Sequence, residues 1–431
     1  MYDMNAEDFP TPDADVASVA PETLKDRIDD GESVTLLDAR MSTEYEKWHV
    51  DGENVTSINV PYFEFLDDEI DESVLDRIPD DREVTVLCAK GGASEYVAGT
   101  LVEQGYDVDH LEDGMNGWAS IYEAVEVQRY DGAGTLLQYQ RPSTGCLGYL
   151  LYDDGEAAVI DPLRAFTDRY LADAAELRSA SPASQARQDE DFGVDLQYAL
   201  DTHVHADHIS GVRALDDEGV EGVIPEAAVD RGVTYAADGS SASPASQARQ
   251  DADALTTAAD GDTFQVGDAT IEAVHTPGHT TGMTSYLIDD SLLATGDGLF
   301  IESVARPDLE EGDDGAPDAA RTLYESLQER VLTLPDDTLI GGAHFSDAAE
   351  PADDGTYTAP IGELVAEMDA LTMDEEAFVD LILSDMPPRP ANYEEIIATN
   401  LGQNAVDDEK AFTLELGPNN CAASQGSLAD D

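Results

Sequence analysis

The chain has 431 residues, 42% of them hydrophobic, and its 94 Asp and Glu against 21 Lys and Arg give a net charge of −73. That length exceeds the usual size of one core and predicts two domains. The near-pure carboxylate surface, with Lys25, Lys47, Lys90 and Lys410 as its only lysines, needs screening and reads as adaptation to molar salt; nucleic acid and anionic membranes are poor partners for it.

Residues 1–12 are acidic and lack the basic start of a signal peptide, and no stretch approaches the ~18 apolar residues of a spanning helix, so a cytoplasmic location is expected. Residues 13–126 are expected to form the first domain. Val34 to Ala39 and Val84 to Ala89 read as buried strands, and Ser94 to Glu103 reads as a helix that follows the Gly91-Gly92 turn and stops at Gly105. This alternation predicts a small doubly wound parallel α/β sheet up to about Ala124.

Residues 127–431 are expected to form the second domain. Strands are predicted at Leu147 to Tyr152, Ala157 to Ile160, Leu196 to Leu200, Val220 to Ile224, Thr270 to His275, Ser285 to Ile288 and Leu292 to Ala294, with a helix from about Phe166 to Leu177. The pattern is that of two sheets packed face to face with helices outside. An 11-residue segment stands at Ser179 to Asp189 and again, identically, at Ser241 to Asp251. Both copies read as loop insertions, near 179–190 and 238–251, because excising the first leaves a link of ordinary length.

The chemistry concentrates after the Leu196 to Leu200 strand, where Asp201-Thr-His-Val-His-Ala-Asp-His-Ile-Ser-Gly211 crowds His203, His205, Asp207 and His208 into six residues. Donors so placed at a strand-to-loop junction can face one pocket and share a divalent cation. Three later positions add to them: His279 in Thr276-Pro-Gly-His-Thr-Thr-Gly282, Asp297 in Thr295-Gly-Asp-Gly298 and His344 in Gly341-Gly-Ala-His-Phe345, each framed by glycine that lets the backbone turn sharply.

In this order and spacing, from about Tyr130 to His344, these residues resemble the metallo-β-lactamase superfamily. The resemblance implies an αββα sandwich and a first metal site made by His203, His205, His279 and Asp297. It also implies a second site made by Asp207, His208, Asp297 and His344. Within the superfamily the likeness is to persulfide dioxygenases and to glyoxalase II. The former implies one Fe(II) on His203, His279 and Asp297, with a low-molecular-weight thiol persulfide and O2 as substrates; the latter implies one or two Zn acting on a thioester. Arg306 with Asp308 is similar to the dioxygenase pattern, although Ala305 stands where its glycine would be, and Arg306 is a candidate to support the catalytic site. Pro387-Pro-Arg-Pro-Ala-Asn-Tyr393 and Asn400-Leu-Gly402 resemble the closing segment of the dioxygenases.

Cys88, Cys146 and Cys421 are odd in number and widely spaced, so no disulfide framework is implied. Cys146 and Cys421 read as buried small hydrophobes. Cys88 differs, because Cys88-Ala-Lys-Gly-Gly-Ala-Ser94 follows an apolar strand and opens a helix, where backbone N–H groups can surround a thiolate. With Leu36-Leu-Asp-Ala-Arg40, His49-Val-Asp-Gly52, Ile58-Asn-Val-Pro61 and Asp113-Gly-Met-Asn-Gly-Trp118, it resembles a single-domain rhodanese over about Val16 to Tyr122. That resemblance implies that Cys88 carries a persulfide, while Asp38 and Arg40 form a structural pair. Many rhodaneses place an arginine where Ala93 stands, and Lys90 is the candidate substitute.

The expectation is therefore an enzyme of sulfur metabolism, with the thioester hydrolase and a non-catalytic sulfur carrier or sensor as alternatives; a homo-oligomer is compatible with any of them.

Overall fold

The computed structural model describes residues 14–66, 70–180, 196–235, 255–346, 348–384, 386–417 and 421–423, with the side chains of 178–180 excepted. The acidic tail, the second copy of the repeat and nearly all of the first lie outside the described residues. By contacts the chain divides into two compact units, residues 1–121 with 141–144, and residues 122–140 with 145–431.

The first unit carries a wholly parallel five-stranded sheet in the order β1-β5-β4-β2-β3, from β1 (Ala17–Val19), β2 (Val34–Asp38), β3 (Val55–Asn59), β4 (Val84–Leu87) and β5 (Val108–Leu111). Successive side chains point to opposite faces, so the apolar runs feed two cores. Leu37 and Val86 pack with Val97 and Leu101, whereas Leu36 and Leu87 pack with Leu24, Met115 and Trp118. Helices α1 (Pro21–Asp29), α2 (Gly92–Glu103) and α3 (Gly114–Ala119) pack on these faces. Helix α2 begins two residues before the expected Ser94, because Gly91 takes φ +90° and completes the turn by itself.

The second unit begins earlier in the chain than the expected Val127. Its first strand, β6 (Glu123–Glu126), pairs antiparallel with β7 (Thr135–Arg141), Glu123 opposite Gln140, and that pairing ties it to the second unit's sheet. The remaining strands are β8 (Cys146–Asp153), β9 (Glu156–Ile160), β10 (Leu196–Leu200), β11 (Glu221–Pro225), β12 (Thr256–Ala258), β13 (Thr263–Val266), β14 (Ala269–His275), β15 (Thr284–Ile288), β16 (Leu292–Gly296), β17 (Leu339–Gly342) and β18 (Ala359–Pro360). They form a seven-stranded sheet, β12 back through β6 in order, and a six-stranded sheet, β13 through β18.

Between the sheets lies a core in which Leu151, Ile160, Leu200 and Val223 of one meet Ile271, Tyr286, Ile288 and Leu292 of the other. The alternate residues Leu150, Val159 and Ala199 face outward onto helices α4 (Thr167–Ala180) and α5 (Val212–Asp217), through Tyr170, Ala174 and Leu215. On the opposite side Leu287 and Leu293 meet α6 (Gly312–Ser326) and α8 (Glu375–Ser384), through Leu323, Phe378 and Ile382. Helix α7 (Ile361–Glu367) adds Ile361 and Leu364 to the same layer. Helix, sheet, sheet and helix are thus the four layers. The metal-type residues follow the C-terminal ends of β10, β14, β16 and β17, so both sheets deliver them to one edge.

Candidate metal centre

Two glycines let the ligand loops come together. Gly278 takes φ +144°, and a Cβ there would stand 2.4 Å from the Leu323 Cα, so only glycine lets the His279 loop lie against α6. Gly296 takes φ +52°, with a Cβ position 2.4 Å from Thr202 Oγ1, and this turn aims Asp297 toward the loop after β10.

A first group forms from three buried residues of three loops. His203, His279 and Asp297 each offer a ligand atom within 4.8 Å of the others. Both imidazole Nε2 atoms lie 3.5 Å from Asp297 Oδ2. None of these three atoms has a hydrogen-bond partner in the protein. Their opposite ends are held. His279 Nδ1 donates to the carbonyl of Arg306 at 2.9 Å, which leaves the Nε2 lone pair facing the group. Thr202 Oγ1 lies 2.9 Å from His203 Nδ1 and donates to Asp161 Oδ2 at 2.9 Å, so His203 Nδ1 is the donor of that pair and its Nε2 is also a free acceptor. Burial, reinforced by His205, pushes the His203 pKa down to about 4, which keeps the ring neutral as a ligand must be. Three orphaned acceptors buried together cost free energy that a divalent cation would offset. The donor set fits such an ion.

Of the four residues implied for the first site, His205 groups instead with two carboxylates. Its Nε2 lies 3.1 Å from Asp161 Oδ1 and 3.6 Å from Asp201 Oδ1, and its ligand atoms group with those two carboxylates. Burial alone would lower its pKa, but Asp161 and Asp201 hold it up at about 9. Its Nδ1 has no partner. The buried carboxylates Asp161 and Asp201 were missed in the sequence; the signal was there in Ile160-Asp161 and Leu200-Asp201, where an acid follows each buried strand directly.

The implied second set, Asp207, His208, Asp297 and His344, separates into two overlapping groups. One is Cys146, Asp207, His208 and His344, and the other is Asp207, Asp297, His344 and Cys421. Here most donors already pair with one another. His344 Nε2 lies 2.8 Å from Asp207 Oδ2 and its Nδ1 2.5 Å from Asp297 Oδ1, while His208 Nδ1 lies 3.0 Å from Asp207 Oδ2. Burial opposes a charge on His344, yet Asp297 and Asp207 raise its pKa well above the ordinary value. The Cys146 thiol donates to Asp207 Oδ2 at 3.3 Å, so this cysteine does more than fill space.

Arg306 is not a free cation at the centre. It is 1% exposed, its Nε and Nη2 form a fork on Asp308 at 2.7 and 3.1 Å, and its Nη1 and Nη2 donate to the carbonyls of Pro388 and Pro387. Its link to the centre runs through the backbone carbonyl that orients His279. The closing segment acts similarly at Asn400, which donates to the carbonyls of His205 and His208 and accepts from Ser210 N–H.

In the first unit Cys88 follows β4 and is 4% exposed. The Gly91 N–H donates to its Sγ at 3.2 Å, and the thiol lies 3.4 Å from Ser94 Oγ. Met115 N–H donates to the Cys88 carbonyl at 2.7 Å. Asp38 and Arg40 form a buried fork, and Ala93 sits in the core with Val97. The position that carries an arginine in many rhodaneses is therefore a core methyl here.

The model of the metallo-beta-lactamase superfamily matches residues 143–344, and the model of the rhodanese-like domain matches residues 20–121. A probable metallo-hydrolase of Burkholderia pseudomallei is 31% identical over 279 residues, which is 58% of this chain and 89% of that protein. The chain belongs to the metallo-β-lactamase superfamily. This superfamily member carries a rhodanese-like domain ahead of its metal-type unit. It is also 29% identical to the human mitochondrial persulfide dioxygenase ETHE1 over 276 residues, 63% of this chain and 89% of that one. Among solved structures, a metallo-beta-lactamase from Staphylococcus aureus aligns at 22% identity and TM-score 0.49, covering 64% of this chain and 75% of that one.

Proposed function

We propose that the second unit oxidises a low-molecular-weight thiol persulfide with O2 and one water, giving the thiol, sulfite and two protons, with O2 taking the four electrons lost by the outer sulfur, and that the first unit handles sulfane sulfur at Cys88. One observation carries the reading. The only ligand-type set among the described residues whose converging atoms all lack partners is His203 Nε2, His279 Nε2 and Asp297 Oδ2, a two-histidine, one-carboxylate face.

Fe(II) held on that face would supply the redox chemistry for O2 and leave open positions for substrate. The protein's own part is positional. Arg306 and Thr202 fix the two imidazole tautomers, and the buried Asp297 supplies the single negative charge. His344 is bonded through both ring nitrogens and would have to give up a proton to serve as a ligand, which favours one metal over two. Relatedness to a persulfide dioxygenase and the attached rhodanese-like domain support the sulfur substrate.

A hydrolytic reading keeps one supporting observation. Asp207, His208 and His344 are all present beside the first group, and with a second cation they could activate water against a thioester. Anaerobic purification, metal analysis and an oxygen electrode separate the two. Bound iron with persulfide-dependent O2 uptake is expected; zinc with thioester hydrolysis and no O2 uptake would overturn the proposal.

A further inference from the structure

The stretch that carries His203, His205, Asp207 and His208, residues 201–211, forms no helix or strand, yet all of it except Ser210 is buried. Buried backbone without regular structure must find its hydrogen-bond partners one group at a time. The Gly211 N–H donates to the Pro162 carbonyl, and the Ile209 carbonyl accepts from the Arg164 N–H. Four more groups are answered by two side chains from far along the chain. Asn400 Nδ2 donates to the carbonyls of His205 and His208 at 3.0 and 2.8 Å, and its Oδ1 accepts the Ser210 N–H at 3.0 Å. Glu415 Oε1 accepts the Ile209 N–H at 2.9 Å.

Asn400 is the last residue of helix α9 (Tyr393–Asn400), and Glu415 directly follows α10 (Asp408–Leu414). The same two helices receive apolar residues of the stretch. Ile209 packs with Ile396, Ala411 and Leu414, and Val204 with Ala228 and Leu401. Packing of this kind tolerates small slips, whereas the carboxamide does not. Asn400 is 5% exposed, and both Nδ2 protons go to carbonyls while its oxygen takes an N–H. A carboxylate of the same shape has no donors and would set oxygen against oxygen.

We propose that Asn400 is a positioning residue of the metal centre, whose carboxamide holds the backbone from His205 to Ser210 and so sets where Asp207 stands. Asp207 Oδ2 meets His344 Nε2 at 2.8 Å, and His344 Nδ1 meets Asp297 Oδ1 at 2.5 Å. A shift of Asp207 is therefore passed to Asp297, a member of the group whose converging atoms lack partners. Asn400 has this role only if a metal is seated on His203, His279 and Asp297, as the proposed function requires; the role does not depend on O2 as co-substrate.

Three variants of the full chain test this: Asn400→Asp, Asn400→Ala and, as a packing control in the same helix, Ile396→Ala. In the metal-free chain, amide exchange at Ser210 should speed up by about fivefold or more in Asn400→Ala, the scale of one lost hydrogen bond, and less at Ile209, which Glu415 still holds. Cobalt(II) then serves as the probe of the centre. Its affinity should fall by about 10–100-fold in both Asn400 variants, as for other groups that orient ligands, and its visible absorption bands should shift. Ile396→Ala should melt lower because of its cavity but keep the bands and the affinity of the parent. Unchanged Ser210 exchange and cobalt affinity in Asn400→Ala, or an equal loss of affinity in Ile396→Ala, overturns the proposal. Cobalt binding that depends on Asn400 in a chain without persulfide-dependent O2 uptake would remove the oxidase and keep the role of Asn400; O2 uptake with full cobalt affinity in Asn400→Ala would do the reverse.

Discussion

His279 donates a hydrogen bond from Nδ1–H to the backbone carbonyl of Arg306, 2.9 Å away, while the Arg306 side chain turns to Asp308 and to the carbonyls of Pro387 and Pro388. One residue thus joins the tautomer of a ligand-type histidine to the closing segment of the chain. Arg306→Lys keeps the charge but loses the fork, since an ammonium cannot match the carboxylate and two carbonyls together. Unfolding of the second unit should be easier by about 3 kcal/mol, the scale of breaking a buried pair, and metal affinity should fall with it. Denaturant titration of the metal-free chain beside metal titration checks both.

Thr202 fixes the other imidazole by donating a hydrogen bond to Asp161 and accepting one from His203. Thr202→Val preserves shape and removes the hydroxyl. Metal affinity is expected to drop by about 10–100-fold, as for other partners that orient a ligand, with the fold retained by circular dichroism. Unchanged affinity would mean that His203 is oriented by packing alone.

Cys88 and the metal-type residues sit in separate units, so their chemistries should separate by mutation. Cys88→Ser is expected to abolish loading of the first unit with sulfane sulfur, followed by mass shift and cyanide release. Persulfide-dependent O2 uptake by the second unit should stay within about twofold, because Cys88 shares no partner with the metal-type residues.

Much of this was legible because its signals are local. Strand Leu196 to Leu200 was placed to the residue, and the apolar runs Val34 to Ala39 and Val84 to Ala89 read as buried strands, as β2 and β4 are. The partners of His205 and Arg306 were not, because they lie far off in sequence. Asp161 lies 44 positions before His205, and Pro387 lies 81 after Arg306. Short-range pattern shows that a donor is present; only the closed fold shows which group takes it. Cys146 was hidden for the same reason, since its partner Asp207 is 61 residues away.

Asp109, in β5 of the first unit, is buried with Oδ1 unpartnered, and burial raises its pKa despite Thr85 and Arg27. A raised folded pKa means the folded chain holds the proton longer than the unfolded one. Stability from this group is therefore full below about pH 4, the unfolded value, and is lost as pH rises through the folded value. Asp109→Asn removes that loss. The variant should melt higher than the parent at pH 7, and the gap should close toward pH 4. A gap that widens in acid would contradict it.

Metal content per chain after anaerobic purification distinguishes a single metal on His203, His279 and Asp297 from a pair of metals. Asp297→Asn and His344→Gln are the informative variants, since Asp297 belongs to the orphaned group and His344 to the self-paired one. One iron per chain is expected, lost in Asp297→Asn and retained in His344→Gln. Two zinc ions per chain, with one lost in His344→Gln, would contradict it.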